Sequence, residues 1–401
     1  MPGRLNVAFL LRGQTSGQGA TLASSDYRLQ SSASGLSAPR APNGSSTQDC
    51  TLEAMRTQEF PSESLMEYDH EEISRRLVAV GEVARDHVLR EMRRQSSESL
   101  SAIAFESAAD KIYVIDRSVE AALLPALAEH LQPALSFALI CEGVNDEKPL
   151  AFPAGTPIDE TSARLIVDPI DGTRPIMYNK RSGWWLAGLA PNRGDETSLR
   201  DIEVAVQVEI PTTRAALSDT LLAIRGRGAR GETTNLITGE RTSFRPRPSG
   251  ATTIREGFAS VFHPFPGGKE IFAAIEEDLA REIIGGLEAS KTAMFDDQYL
   301  ATGGQLYELM TGRDRMLIDA RGMLYERFKR EGRPVGHACH PYDLCTVLIA
   351  EEAGVIVTDG RGHSLNAPLD TTTDVSWIGY ANEAIRREVE PVLLRLLSRY
   401  I

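Results

Sequence analysis

Cysteines and long apolar runs are both scarce in this chain of 401 residues. One of its longest strongly apolar stretches, residues 134–141, is far shorter than the roughly 18 residues that a membrane span requires. Four cysteines, spread unevenly along the chain, are too few for a disulfide scaffold. The sequence therefore indicates neither a membrane partner nor a disulfide-rich secreted fold, and we expect a cytoplasmic protein.

Basic residues are also in deficit, with Lys+Arg 43 against Asp+Glu 56 and a net charge of −13. A protein that binds nucleic acid by neutralising phosphates needs a basic face, so we expect no nucleic-acid partner. The acidity does not exclude a small phosphorylated ligand, because divalent cations can stand between carboxylates and a phosphate.

Residues 1–62 differ from the rest in being rich in Ser, Gly, Gln and Thr. Such a composition cannot bury enough apolar surface to order itself. We predict a disordered extension over residues 1–65, followed by one domain over residues 66–401 with sub-layers near 66–255 and 256–401. A targeting segment is the alternative, favoured by Arg4 and the apolar residues 5–11 but lacking a full hydrophobic region and a clear cleavage site.

Mixed helices and strands follow the extension. Asp69 is predicted to cap a long helix, with Glu72 three positions later as in a capping box. Strands are predicted at 111–115, 134–141, 165–167, 184–189, 202–210, 220–225 and 317–319, and helices at 119–131, 272–284 and 342–353. The absence of regular βαβ alternation favours an α+β fold.

The most informative motif is Asp-Pro-Ile-Asp-Gly-Thr at residues 168–173, directly after an apolar strand. Asp168 and Asp171 can converge on one point, and Mg²⁺ prefers such an oxygen cluster, with the Ile170 carbonyl as a further ligand. Gly172 and Thr173, at the start of a helix, would offer backbone N–H groups to an anion. The motif predicts metal ligands beside phosphate donors.

Three more acids are candidates for the same centre. Glu142 ends the neighbouring strand, Asp116 precedes a helix, and Asp343 lies in the first turn of a distant helix. Asp116 is also a good N-cap, and Asp343 also complements its own helix dipole. Several buried carboxylates stay ionised together only if cations compensate them, so the cluster implies a metal.

These motifs together resemble the inositol monophosphatase family. The resemblance rests on residues 168–173, Glu142, residues 110–116 and residues 342–354, in that family's order, and covers roughly residues 66–400. The family comprises Mg²⁺-dependent, lithium-sensitive phosphatases and includes fructose-1,6-bisphosphatase. The resemblance implies a layered αβαβα sugar-phosphatase-like fold, a Mg²⁺ cofactor, a small phosphorylated metabolite as partner and a homodimer or higher homo-oligomer.

The resemblance also implies which residues bind metal. It assigns one metal to Glu142, Asp168 and the Ile170 carbonyl. It assigns a second metal to Asp168, Asp171 and Asp343, so that Asp168 bridges the two. The resulting two-metal site is typical of phosphoryl transfer.

The same resemblance implies catalytic roles. A water oriented by Glu142 and Thr173 would attack phosphorus, and Asp116 would hold the Thr173 hydroxyl. Asp171, Gly172 and Thr173 would contact the substrate. We therefore predict a phosphoric monoester hydrolase acting on a small polyol, sugar or nucleotide phosphomonoester.

Some positions depart from the family pattern. Gly143 stands where a second acid is usual, and Ile115 where a Thr is common. A longer segment, residues 322–336, precedes Asp343, and Gly336 stands where inositol phosphatases have an acidic substrate contact. The alternative is therefore a non-catalytic relative that binds metal or a phosphorylated metabolite.

A zinc site is a weaker interpretation of the histidines and cysteines near Asp343. The residues concerned are His337, Cys339, His340, Asp343 and Cys345. Their spacing fits no standard pair-and-pair zinc pattern, so we favour packing, with a substrate-pocket role for His337 or His340.

Overall fold

The computed structural model describes residues 68–106, 111–145, 148–285 and 292–401. The predicted disordered extension lies outside the described residues. Within them the helices are α1 (His70–Arg94), α2 (Ser97–Leu100), α3 (Val114–His130), α4 (Thr173–Met177), α5 (Lys269–Ile284), α6 (Thr302–Met310), α7 (Arg321–Arg330), α8 (Val347–Ala353) and α9 (Glu383–Tyr400). No helix among these has the length and apolar character that a membrane span requires.

The strands belong to three sheets. They are β1 (Ile103–Glu106), β2 (Lys111–Tyr113), β3 (Phe137–Cys141), β4 (Leu150–Phe152), β5 (Ala163–Asp171), β6 (Gly183–Pro191), β7 (Val204–Ile210), β8 (Leu217–Ile224), β9 (Ala229–Asn235), β10 (Arg241–Phe244), β11 (Phe258–Val261), β12 (Asp314–Asp319), β13 (Ile356–Asp359) and β14 (Trp377–Tyr380). An eight-stranded sheet has the order β10-β9-β8-β7-β6-β5-β3-β4, and a four-stranded sheet has the order β11-β12-β14-β13. Strands β1 and β2 form a separate pair.

Helices and sheets stack in five layers. Helices α1 and α3 cover one face of the large sheet, and α6 and α8 lie between the two sheets. Helices α5 and α9 cover the outer face of the small sheet. The adjacent residues Trp184 and Trp185 of β6 point into different cores because successive side chains alternate across a strand. The layering is the predicted αβαβα arrangement.

The first helix shows how the sequence sets an element. The Asp69 carboxylate accepts the Glu71 N–H at 2.9 Å and so caps α1, as predicted. The apolar stripe that includes Ile73 and Leu77 is fully buried against the large sheet. The expected capping box is not seen, because the Glu72 carboxylate accepts the Arg76 Nε–H instead, at 2.9 Å.

Three predicted boundaries were wrong near the candidate site. The predicted strand 111–115 stops at Tyr113, whose N–H is accepted by Asp116 as α3 begins. The predicted strand 165–167 is part of the longer β5, which continues through the Asp-Pro-Ile-Asp sequence. The predicted helix 342–353 is a 3-10 turn, Pro341–Leu344, followed by α8. Local carboxylate or proline geometry sets the first and third boundaries, whereas pairing with β6 extends β5.

Candidate metal centre

Strand β5 places Asp168 and Asp171 at one point. Pairing between β5 and β6 is regular up to Asp168 and shifts register before Asp171, which makes a bulge around Pro169. The Asp168 carboxylate accepts the Ile170 N–H at 2.9 Å, which fixes the bulge. Both aspartates are almost completely buried. The motif therefore holds two carboxylates inside the protein rather than in a solvated turn.

Asp343 joins them from the other half of the chain. The 3-10 turn carries Asp343, whose carboxylate accepts the His340 N–H at 2.6 Å. Carboxylate oxygens of Asp168, Asp171 and Asp343 all lie within 4.8 Å of one another. The structure thus brings together the three residues expected to hold the second metal.

The electrostatics of this cluster favour a cation. Burial raises the pKa of Asp168 well above its usual range, and Glu142, Asp171 and Asp343 raise it further. Burial followed by Asp343 raises the pKa of Asp171, and burial raises the pKa of Asp343. A buried set of oxygen donors that resists ionisation on its own is suited to a hard divalent cation. The residues present therefore fit the metal that the sequence implied.

Helix α6 orients Asp171. The N–H groups of Thr302 and Gly303 donate to the two carboxylate oxygens of Asp171 at 3.0 and 2.6 Å. These donors are at the helix N-terminus, where the dipole favours negative charge. A Cβ atom on Gly303 would lie 2.9 Å from Asp171 Oδ2 and 2.6 Å from Leu186, so the close approach requires glycine.

Glu142 borders the cluster. Among the described residues, the carboxylates whose oxygens lie within 4.8 Å of one another are those of Asp168, Asp171 and Asp343, without Glu142. The Tyr342 hydroxyl donates to Glu142 Oε1 at 3.2 Å, and both residues border the same cleft as the aspartates. The next residue, Gly143, has φ 74°, a left-handed conformation that favours glycine. An acidic residue at position 143, as is usual in the family, would therefore have to adopt a strained backbone conformation.

Thr173 bridges Asp116 and Ile170. Its Oγ1 atom lies 2.9 Å from Asp116 Oδ1 and 2.9 Å from the Ile170 carbonyl oxygen. Asp116 Oδ2 accepts the Tyr113 N–H at 2.9 Å. Asp116 is not the predicted N-cap, because α3 begins at Val114 and its N-cap is Tyr113. Asp116 lies in the first turn of α3, where one of its oxygens accepts the N–H of Tyr113 and the other contacts Thr173. Ile115, which stands at a position where Thr is common in the family, is fully buried in the core.

Gly172 precedes the five-residue helix α4 with φ 83°. A Cβ atom there would lie 2.8 Å from the Ala301 Cβ, so a side chain would collide with the neighbouring segment. The expected opening of a helix at Thr173 is confirmed. Phosphate binding by Gly172 and Thr173 stays a prediction.

The cleft contains residues that the sequence did not single out for chemistry. Arg321 at the start of α7 is buried and forms a paired ion contact with the buried Asp319, with Nε and Nη2 donating at 2.6 to 3.1 Å. The wall near Arg321 also includes Arg174, Phe262 and Phe265. The one sequence signal that could have indicated Arg321 is its position two residues after Asp319, which ends the predicted strand 317–319.

The zinc interpretation finds no support in the described part of the chain. The group of potential metal ligands in that part of the chain consists of Asp168, Asp171 and Asp343, and it includes no histidine or cysteine. Cys339 and Cys345 are buried free thiols whose pKa values are raised, mainly by burial. His340 stacks on Tyr342 with ring centroids 5.4 Å apart. Packing accounts for Cys339, Cys345 and His340, whereas His337 lines the cleft that contains the aspartates. A substrate contact by His337 stays a prediction.

Comparison with known proteins shows which fold this is. No protein-family model and no curated protein sequence matches the chain. Extragenic suppressor protein SuhB from Bartonella henselae is 17% identical, with a TM-score of 0.53 over 80% of this chain and 98% of that one. An inositol monophosphatase–fructose-1,6-bisphosphatase is 16% identical, with a TM-score of 0.54 over the same shares. Fructose-1,6-bisphosphatase from Leishmania major is 14% identical, with a TM-score of 0.51 over 80% and 93%.

The fold is therefore that of the inositol monophosphatase and fructose-1,6-bisphosphatase structures, as the motif resemblance implied. The likeness covers most of the described residues and nearly all of each solved chain.

Proposed function

We propose that this chain is a metal-dependent phosphatase that hydrolyses a small polyol, sugar or nucleotide phosphomonoester. The observation that carries the proposal is the buried trio of Asp168, Asp171 and Asp343, with oxygens within 4.8 Å of one another. A second support is the fold shared with phosphatases of known structure. When bound, Mg²⁺ would neutralise the phosphate and lower the pKa of a coordinated water.

Metal would be held by Asp168, Asp171 and Asp343, with Glu142 and the Ile170 carbonyl at the edge of the same site. Carboxylate and carbonyl oxygens are the ligands that Mg²⁺ prefers. The Tyr342 hydroxyl donates to Glu142 Oε1 and so helps to hold that carboxylate at the edge of the site.

Thr173 would position the attacking water. Its single hydroxyl proton faces Asp116 Oδ1 or the Ile170 carbonyl oxygen, so the oxygen presents lone pairs to a water proton. Glu142 accepts the proton that the water loses. The new bond joins the water oxygen to phosphorus and the ester P–O bond breaks. The leaving oxygen takes up a proton from solvent, to which Glu142 returns the proton that it accepted. No covalent enzyme intermediate is required.

Replacement of the central carboxylate tests the proposal. Asp168→Asn should lower phosphate release by at least about 10³-fold, because the cluster loses a shared anionic ligand. Asp159→Asn, at an exposed position outside the cleft, is the matched control and should keep wild-type activity. Turnover by folded Asp168→Asn protein at the wild-type rate would refute the proposal.

A non-catalytic role is the second candidate, favoured by Gly143, which leaves the site one carboxylate short of the family pattern. Calorimetry separates the two. Binding of Mg²⁺ and of phosphomonoesters without any hydrolysis across a broad substrate panel would favour the non-catalytic role.

A further inference from the structure

A second cavity lies at the β10 edge of the large sheet, outside the metal centre. Its lining includes Asp219 of β8, Arg245 and Arg247 just after β10, Tyr307 of α6, and Arg313 after α6. We call this cavity the edge groove. It encloses about 320 Å³, close to the lower end of the range of roughly 300 to 1,000 Å³ that small-molecule sites occupy. Among the described residues, none lines both the edge groove and the cleft of the metal centre.

The edge groove is basic although the chain as a whole is acidic. Among its described lining residues, three arginines stand against the one carboxylate of Asp219, whereas the whole chain has Lys+Arg 43 against Asp+Glu 56. The two carboxylate oxygens of Asp219 already accept hydrogen bonds inside the protein, from the hydroxyl groups of Thr233 and Tyr307 at 2.6 and 2.5 Å. The charge of the edge groove therefore favours an anion over a cation.

Two of these arginines have guanidinium groups that the protein does not engage. Within the described residues, no hydrogen bond, ion pair or ring contact involves the guanidinium group of Arg245 or Arg247. Arg241, at the start of β10, differs in that it pairs with Glu82 and Glu232. A planar guanidinium group can donate two parallel hydrogen bonds to a carboxylate or a phosphate. Arg245 and Arg247 are thus free to bind one such group each.

The loop that carries these two arginines is held in place by its backbone. Gly312, just after α6, has φ 80°, and a Cβ atom there would lie 2.9 Å from the Arg247 carbonyl oxygen, so this close approach requires glycine. The Ser249 carbonyl oxygen accepts an N–H from the Asn382 side chain at 2.7 Å. Pro246, between the two arginines, is buried. An anion would therefore bind without first ordering the loop, which lowers the cost of binding.

We propose that the edge groove binds a small molecule that carries at least two carboxylate or phosphate groups. Arg245 and Arg247 supply one unengaged cation for each group, and Arg313 adds to the positive charge. Asp168, Asp171 and Asp343 do not line the edge groove. The molecule is therefore a ligand distinct from the phosphomonoester that the metal centre would hydrolyse, and the inference does not depend on the proposed phosphatase function.

Calorimetric titration of the metal-free chain tests the proposal. The probes are citrate, which carries only carboxylates, and pyrophosphate, which carries only phosphates. Metal is removed over a chelating resin beforehand, because both probes would otherwise bind Mg²⁺ themselves. We expect the wild-type chain to bind at least one probe with a stoichiometry of about one per chain. The probe that binds more tightly identifies the chemical group.

The double variant Arg245→Gln/Arg247→Gln removes the two unengaged cations. It leaves Arg313 unchanged, because that guanidinium group already lies 4.5 Å from the centroid of the Tyr307 ring. The Kd of the bound probe should rise at least about tenfold, since charge-assisted hydrogen bonds to the anion are lost. Both positions are exposed, so the thermal unfolding midpoint should stay that of the wild-type chain.

The double variant Arg214→Gln/Arg330→Gln is the matched control. It removes the same charge at two exposed positions that line neither the edge groove nor the cleft of the metal centre. The Kd of the probe should equal that of the wild-type chain. An equal rise of Kd in both double variants would show attraction by net charge alone and would overturn the site.

Other outcomes would also overturn the edge groove as an anion site. One is that the wild-type chain binds neither probe. Another is that folded Arg245→Gln/Arg247→Gln protein keeps the wild-type Kd, which would place the probe elsewhere. Sedimentation velocity tests a second copy of the chain as the occupant. A change of oligomeric state in this variant, and not in the control, would assign the arginines to an interface between copies.

Discussion

The Thr173 hydroxyl oxygen lies 2.9 Å from Asp116 Oδ1, although 57 positions separate the two residues in the chain. This contact joins the first turn of α3 to the first residue of α4, which follows β5. It fixes the orientation of the one hydroxyl group in the Asp-Pro-Ile-Asp-Gly-Thr motif.

Removal of that hydroxyl should lower catalysis more than binding. We expect Thr173→Ala to reduce kcat about 100-fold, because the attacking water loses an oriented acceptor. Thr173→Ser keeps the hydroxyl and should retain activity within about tenfold of wild type. Steady-state kinetics on one phosphomonoester measures both. An alanine variant as active as the serine variant would refute this role.

Crowding at Gly303 should weaken the metal site. In Gly303→Ala the added methyl group would press on Asp171 and Leu186, so the carboxylate must move. We expect the affinity for Mg²⁺ to fall at least about tenfold, as when the support of a metal ligand is lost. Gly250→Ala is the control, since no atom lies within 4 Å of its added Cβ. Titration calorimetry should give equal Kd values for the control and wild type, and an unchanged Kd for Gly303→Ala would contradict the prediction.

Asp314 should make stability fall as pH rises. Burial, with smaller contributions from Glu308 and Asp297, raises the pKa of Asp314 from 3.8 to about 7. Since the folded-state pKa is the higher one, the stabilisation is complete below pH 3.8 and is lost as pH rises through about 7. Between pH 4 and pH 8, Asp314→Asn should therefore gain about 4 kcal/mol of stability relative to wild type.

Urea unfolding across that pH range measures the effect of Asp314. Asp159→Asn, at an exposed position, should follow the wild-type pH dependence. Parallel curves for wild type and Asp314→Asn would show that Asp314 titrates normally.

The buried ion pair should couple strongly in folding. Arg321→Met alone leaves the Asp319 carboxylate buried without its cation and should cost about 3 kcal/mol or more. Adding Asp319→Leu should recover most of that loss. A double-mutant cycle from urea unfolding tests this, and additive losses from the two single variants would contradict it.

Much of the site was predictable because its chemistry is local in sequence. Asp168, Ile170, Asp171 and Thr173 fall within six residues, and a buried strand leads directly into them. The α+β class followed from the mixed periodicities in the same way. Asp343, by contrast, was one of three candidate acids, and only the family resemblance assigned it to a metal together with Asp168 and Asp171, since no local pattern indicates which distant acid meets β5.

Other features depend on tertiary contacts that no periodicity encodes. The bulge between Asp168 and Asp171 extends β5 beyond its apolar run, because pairing with β6 continues past the aspartates. Arg321 had no recognisable motif, since its role depends on a buried contact with Asp319 and on the position of α7. A charged residue in a longer segment is ordinarily expected at the surface.

The most direct test of the account is phosphate release by the purified wild-type chain, with a panel of small phosphomonoesters, in the presence of Mg²⁺ and after chelation. The account predicts turnover of at least one compound with Mg²⁺ and none after chelation, because Asp168, Asp171 and Asp343 would lose the cation that they share. Equal turnover with and without Mg²⁺, or no turnover of any compound with Mg²⁺, would contradict it.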